Sequence, residues 1–307
     1  MKIKYPVVFF VFKRHATTWA FLDHIIDAGI STIYVFADGP RNDIDKIDTG
    51  LVRKEIERFQ TRHPEITVIP KFSSVNLGLK KNIIRGVSAV FEHEEAVIIL
   101  EDDCLPTLDF FKFTSEMLIK YADDKSVMSV NGTSTGGKFE YSYDFNLYPQ
   151  CWGWATWRRA WRLYDPTLSH FTKAEWDNLA HKHNFSPLLK WYWGTMLTMV
   201  KDGWINTWDF QWSYAHFYHD GLSIAPSVNL IKNIGFDNVA TNTKTKSKVS
   251  GMATNLLKWP LIHPKGVIEN QSVTHKATYD FYLNPIAIGG LLRQYIYWKW
   301  SNYVNRH

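Results

Sequence analysis

Through its first 131 residues the chain alternates short apolar runs with stretches of helical spacing, and few folds accept that alternation. Pro6 to Phe12 reads as a first strand. A helix capped by Thr17 or Thr18 runs to Ala28 and stops at Gly29. Thr32 to Ala37 reads as a second strand ending in Asp38-Gly39-Pro40, and a charged helix follows from Asp45 to Arg62. Ile66 to Ile69 is a third strand, and the loop Asn76-Leu77-Gly78-Leu79 opens a helix over Lys80–Phe91. Ala96 to Leu100 is a fourth strand, Thr107 caps a helix reaching Tyr121, and Ser126 to Val130 is a further strand. Strands alternating with helices predict an α/β fold with a doubly wound, mostly parallel sheet.

The fourth run ends abruptly. Ile98-Ile99-Leu100 gives way to Glu101-Asp102-Asp103, and Cys104-Leu105-Pro106 breaks the run. In an open α/β sheet, ligands bind beyond the carboxyl ends of the strands. Three carboxylates there repel one another, and a hard divalent cation such as Mn²⁺ or Mg²⁺ relieves that repulsion. A single Asp at such a place usually caps the next helix; three acids in succession favour a metal and phosphate site. The other strand ends carry Lys13-Arg14, Asp38-Gly39 and Asn76 to Gly78. Asp38 suits a ribose or base edge, though an Asp-Gly pair is ordinarily a turn. Gly78 allows close backbone approach, the helix after it favours phosphate, and Lys80, Lys81 and Arg85 add positive charge.

After Asn131 the pattern changes. Gly132 to Tyr148 is polar and turn-rich and reads as a loop. Ten of the 14 tryptophans then fall between Trp152 and Trp212. Large aromatics are usually core, so most of these belong to packing, while a minority can stack on sugar faces. Asn242 to Gly251 reads as an exposed loop. From Lys232 onward there are ten Lys or Arg against three Asp or Glu, a balance of +7 that leaves −2 of the net +5 for the rest. Ile288, Leu291, Leu292, Tyr295 and Trp298 follow helical spacing near the end, with Arg293, Lys299 and Arg306 off or beyond the stripe. Such a helix either lies on an anionic membrane surface or packs on the core; a solvated basic face is the plainer account of the charge. No nucleic-acid-binding motif accompanies it. Two cysteines, Cys104 and Cys151, make no disulfide framework and fit a reducing compartment. Neither a secretory leader nor an apolar run of about 18 residues is present. The expected location is therefore the cytoplasm, peripheral on the inner membrane.

Leu100 to Pro106, followed by Asp109-Phe110-Phe111 and Ser129-Val130-Asn131-Gly132, resembles GT-A glycosyltransferases, among them the N-acetylglucosaminyltransferase I type. Trp152-Gly153-Trp154-Ala155-Thr156-Trp157 and the run Asn229 to Phe236 resemble bacterial glycosyltransferase-like proteins of surface-polysaccharide clusters. The resemblance implies a GT-A-like sheet over residues 1–131 that binds the nucleotide sugar. It implies a Trp-rich acceptor lobe over 132–240 and leaves 241–307 as a basic, helical extension. It makes Asp103 the metal ligand and gives Asp102 to the ribose or sugar of the donor, to which Glu101, Asn76, Gly78 and Lys81 are added by their place at the strand ends. Asp38 is the nucleoside-binding acid. Asp209, within Trp208 to Trp212, is the base of an inverting reaction, with Asp202 and Asp220 as the other candidates and a helix cap as its structural role. Where the bacterial relatives carry Thr-His this chain has Thr241-Asn242, so His263 or His275 is the histidine left to bind a metal. The implied activity moves a sugar from a nucleoside-diphosphate donor to a glycan or lipid-linked glycan. A nucleotidyltransferase on the same site, or a non-catalytic carbohydrate-binding protein, is the alternative.

Overall fold

The structure is a computed structural model, and it describes residues 3–235 and 252–304. The first half follows the alternation closely: β1 (Val7–Val11), α1 (His15–Ala28), β2 (Thr32–Ala37), α2 (Asp43–Arg62), β3 (Thr67–Phe72), α3 (Leu79–Val90) and β4 (Ala96–Glu101). A short β5 (Cys104–Pro106), α4 (Leu108–Lys120) and β6 (Val127–Asn131) complete it. Thr107 caps α4 by accepting the Phe110 N–H, and Gly29 closes α1 in the left-handed region. The cap of α1 is Arg14 rather than a threonine. Thr17 and Thr18 lie inside the first turn and donate back to the Arg14 carbonyl.

Eight strands form one sheet in the order β3-β2-β1-β4-β8-β6-β9-β7, where β7 is Tyr143–Asn146, β8 is Trp154–Trp157 and β9 is Leu222–Pro226. Four of its pairings are parallel: β1 with β2 and β4, β2 with β3, and β6 with β9. Alternate residues of β1 serve opposite faces. Val7, Phe9 and Val11 pack with α1, α2 and α4, whereas Val8 and Phe10 pack with α3 and the tryptophans beyond it. The sheet is thus covered on both sides, as expected of a doubly wound fold.

Two departures lie beyond Asn131. The stretch read as a loop contains β7, the edge strand, which pairs antiparallel with β9. The tryptophan motif supplies β8, which enters antiparallel between β4 and β6 with Ile99 opposite Trp154 and Asn131 opposite Trp154 on the other side. Trp154 is buried among Trp161, Trp208 and Trp212, and Trp157 donates its indole N–H to the Leu118 carbonyl. Most of the motif is therefore core.

A third apolar cluster forms the Trp-rich lobe. It is built on α6 (Lys173–Lys182), α7 (Pro187–Lys201) and α8 (Asp209–Tyr218), with Trp176, Trp193, Tyr192 and Phe217 at its centre, whereas the short α5 (Arg158–Trp161) packs with Val8 and Phe10 on the sheet. After β10 (Ile231–Asn233), which pairs antiparallel with β5, the chain returns through 252–262 to α9 (Gln271–Ala277), a wide helical turn at Thr278–Tyr282, and α10 (Pro285–Val304). Leu291 and Trp298 of α10 are buried in the lobe, so one stripe of this helix packs on the core. Among the described residues no helix is long and apolar enough to cross a membrane. Asn242 to Gly251, Phe236 and Arg306 lie outside the described residues.

Candidate active site

The parallel register aligns the carboxyl ends of the first four strands. Val11 lies opposite Ala37, Ala37 opposite Phe72, and Phe10 opposite Glu101. Beyond this edge lies a cavity of about 310 Å³ lined by Arg14, Asp38, Arg41, Asn76, Gly78, Lys80 and Asn82 on one side, and by Glu101, Asp102, Asp103, Trp152, Asn206 and Asn233 on the other.

Asp38 is buried, and four donors converge on it. The N–H groups of Gly39 and Leu77 reach one oxygen; the Gly78 N–H and the Asn76 amide reach the other, at 2.8–3.1 Å. The carboxylate thereby ties the loop after β3 to the end of β2. Gly78 caps α3 at φ 76°, ψ 157°, a conformation open almost only to glycine. The clamp sets where α3 begins, and so where its unpaired amide groups face. Lys80, in the first turn, lines the cavity, carries no ion pair among the described residues, and has its pKa lowered by burial. Lys81 is exposed and does not line the cavity, because one step along a helix turns the side chain by about 100°.

The end of β4 is the electrostatic opposite. Asp102 accepts the Phe12 N–H at 2.9 Å, and the Arg14 guanidinium stands 3.9 Å away. Burial, and then the neighbouring Asp103 carboxylate, still push its pKa up to about 7. Glu101 is driven well above the carboxylate range by burial first, and then by Asp103, Asp102 and Asp209. Asp103 is held through its carbonyl by the Ile234 N–H at 2.8 Å, and its side chain accepts the Cys104 thiol. β10 sets this loop from behind. Asn233 pairs with Cys104 and accepts the Gly235 N–H, and a Cβ on Gly235 would stand 2.2 Å from the Asp103 carboxylate. Asn229 to Gly235, the described part of that run, is thus a brace for the acid loop. Asn229 supports it by donating to the Ile231 carbonyl.

The donor set fits a hard divalent cation: all-oxygen carboxylates, half-buried and mutually repelling, which a positive charge would stabilise. Among the described residues no three His, Cys, Asp or Glu side chains converge into a ready cage. That suits an ion held by one or two carboxylates and completed by substrate phosphates, as is usual for Mg²⁺. His263 lies elsewhere. Its ring meets the Tyr143 hydroxyl at 3.0 Å and Glu116 at 3.6 Å. His275 sits on α9 against Tyr279.

Asp209 is the first residue of α8, with Trp208 in the cap position. Its carboxylate accepts the Thr207 hydroxyl. Burial raises its pKa against that hydrogen bond and those of the helix start, and its charge is felt at Glu101, Cys151 and Tyr192. Asp209 itself does not line the cavity; Asn206, three residues earlier, does. Asp202 is exposed at the end of α7, and Asp220 forms a surface pair with Lys182 at 2.5 Å.

Arg41, Asn82 and Asn206 went unnoticed in the sequence, and Asn233 figured there only as a member of the Asn229 to Phe236 run. Arg41 is pinned by Asp45 at 2.6 Å and lies over the Phe12 ring, and nothing in its spacing announces this. Asp109 and its two phenylalanines are structural. Asp109 accepts the Leu257 N–H and the Trp259 indole, and Phe110 and Phe111 are fully buried.

No protein-family profile matches the sequence, and no curated protein matches it. Solved structures resemble part of it. They include mannosyltransferase PcManGT from Pyrobaculum calidifontis in complex with GDP-Man and Mn²⁺, at 13% identity and a TM-score of 0.35, covering 51% of this chain and 45% of that one. A UDP-glucose pyrophosphorylase complexed with UDP-glucose matches at 10% identity and 0.32, over 53% and 79%. HddC from Yersinia pseudotuberculosis matches at 11% and 0.30, over 51% and 78%. Likenesses this partial decide no question of chemistry, which rests on the cavity itself.

Proposed function

We propose that the chain is a divalent-metal-dependent, inverting glycosyltransferase of GT-A type. It would transfer a sugar from a nucleoside-diphosphate donor to a hydroxyl of a glycan or lipid-linked glycan, in the making of a surface polysaccharide. One observation carries this reading: a half-buried excess of carboxylate at the end of β4 faces, across one cavity, the amino end of α3 with Lys80. A cluster that calls for a cation opposite a helix start that attracts phosphate is the charge pattern of a metal–diphosphate site.

In this reading Asp103, with Asp102 beside it, would hold Mn²⁺ or Mg²⁺, which when bound neutralises the diphosphate leaving group. Arg14 and the Phe12 N–H orient Asp102. Asp38 and Asn76 act through the loop they clamp, fixing Gly78 and the amide groups of α3 that receive phosphate. Trp152, on the same edge, offers its ring to the sugar. Asp209 takes the proton of the acceptor hydroxyl on its carboxylate, oriented by Thr207, and burial, by raising its pKa, makes it a stronger base.

Calorimetric titration of nucleotide sugars with and without Mn²⁺ tests the reading. Asp103→Asn is expected to abolish metal-dependent donor binding while leaving the melting curve in place; an unchanged affinity removes Asp103 from the site. Asp209→Asn is expected to lower turnover by about 10²–10⁴ and to spare donor binding. Normal turnover would send the search for the base elsewhere. Release of pyrophosphate instead of a nucleoside diphosphate would make the enzyme a nucleotidyltransferase attacking phosphorus in the same cavity. Absence of any metal-dependent nucleotide binding would leave a carbohydrate-binding protein.

A further inference from the structure

We propose that the outward face of α10 docks on an anionic lipid bilayer, a role independent of the chemistry in the cavity. The helix carries apolar residues on both sides, and the side packed into the molecule leaves the other largely exposed, with Tyr297 touching Trp204. Leu291, Tyr295 and Trp298 form the stripe that packs into the Trp-rich lobe. Leu292, Ile296, Trp300 and Val304, four residues apart, form a second stripe facing outward, with Tyr297 beside it. Ile296 is 66% exposed, Tyr297 59% and Trp300 58%, high values for side chains of this kind. Isolated exposed apolar residues are ordinary, but a continuous stripe of them on one helix marks a binding surface.

Charge selects the occupant. α10 contains no Asp or Glu, and its two charged residues, Arg293 and Lys299, are both cations. The groove beside it, between α6, α7 and α10, is lined by Lys173, Lys190, Lys201 and Lys299 against the single acid Asp177. A second copy of this chain would bring like charges face to face across a twofold axis. A bilayer with anionic headgroups supplies hydrocarbon for the stripe and phosphate for the cations. Tyr297 and Trp300 stack on each other, and such rings favour the headgroup level of a membrane. Because no described helix can span, α10 would lie in the interfacial plane.

Removing α10 is a poor test, since Leu291 and Trp298 leave with it. Surface variants of the full chain serve better. Co-sedimentation is measured with vesicles of phosphatidylcholine alone and with vesicles containing phosphatidylglycerol as a minor component, alongside a melting curve and the solution mass. The wild-type chain is expected to bind the anionic vesicles, more weakly as salt rises, and to ignore the neutral ones. Ile296→Ser with Trp300→Ser should weaken binding at least tenfold with an unchanged melting curve. Arg293→Gln with Lys299→Gln should weaken it by roughly fivefold for each cation removed, the factor that about 1 kcal/mol per basic residue gives. The charge pair decides the matter if the apolar pair melts early. A wild-type chain that ignores anionic vesicles overturns the proposal. So do charge variants that bind as well as wild type, or a dimer that Ile296→Ser with Trp300→Ser dissolves.

Discussion

Two strand ends meet at the same cavity, each marked by acid, and they are built on opposite principles. At the end of β2, Asp38 receives four hydrogen bonds and is fully committed to holding a loop. At the end of β4, Asp102 accepts the Phe12 N–H with Arg14 beside it, yet burial with mutual repulsion raises the pKa values of Glu101 and Asp102. A carboxylate with its full set of partners is part of the scaffold. Carboxylates crowded against one another in a half-buried place are a demand for something from outside.

If that contrast is right, removing the two kinds of acid has opposite consequences for stability. The largest effect is expected at the satisfied end. Asp38→Ala strands three backbone N–H groups and an amide, and hydrogen bonds to a charged group contribute about 1.5–3 kcal/mol each, without simple additivity. A loss of at least about 3 kcal/mol in denaturant unfolding is expected, with Asp38→Asn milder; a loss below about 1 kcal/mol would dissolve the distinction between the two ends. The second effect tests the β4 end without touching an acid. Gly235→Ala places a methyl group against the Asp103 carboxylate, at 2.2 Å in the present backbone, so the carboxylate must move. Metal-dependent nucleotide binding should weaken at least tenfold, with little change in melting; unaltered binding would show that Asp103 is not the ligand.

The smallest effect has the reverse sign. The pKa of Asp102 is about 7 in the folded protein, against about 3.9 in an unfolded chain. Between those values the folded form keeps a proton that the unfolded form has released, so stability falls as pH rises. The contribution is complete below about pH 4 and is lost once pH passes about 7. Metal-free protein should therefore lose stability over that window, and Mn²⁺ should restore it. Asp102→Asn should flatten the slope and, at pH 8, raise stability by about 1 kcal/mol or less. A metal-free melting temperature that climbs between pH 4 and pH 7 for the wild type and not for the variant would place Asp102 among the satisfied acids.

Much of this contrast was legible in the sequence, but unequally. Strands β1 to β4 announced themselves as apolar runs, and Gly29 and Thr107 ended and began helices where turn chemistry demands. The three acids at the end of β4 marked the cavity. What Asp38 does was hidden, because its four donors come from residues 39 and 76 to 78, and only the parallel pairing of β2 with β3 brings them together. β7 was hidden as well: its buried Asp144 and Asn146 break the apolar pattern, and their hydrogen bonds compensate. The tryptophan motif concealed its strand for another reason. Aromatic residues suit helix, strand and groove alike, and only the pairing of β8 with β4 and β6 decides among them. Lys80 and Lys81 differ by one step of a helix whose starting residue Gly78 fixes, which no count of nearby charge can resolve.

The brace behind the acid loop has a consequence for the order in which this protein can come into being. β5 is zipped to β10, more than a hundred residues later, and Asp109 is tied to Leu257 and Trp259 later still. A ribosome that has delivered the first 131 residues has delivered the acids but not the strand that stiffens them. The nascent sheet can form early, since its first four strands pair locally. The acid loop is stiffened only when the chain near residue 235 has emerged and folded back. The growing polypeptide therefore carries its most repulsive residues on a slack tether while more than a hundred further residues are made, where they can stay hydrated until the enclosing wall is in place.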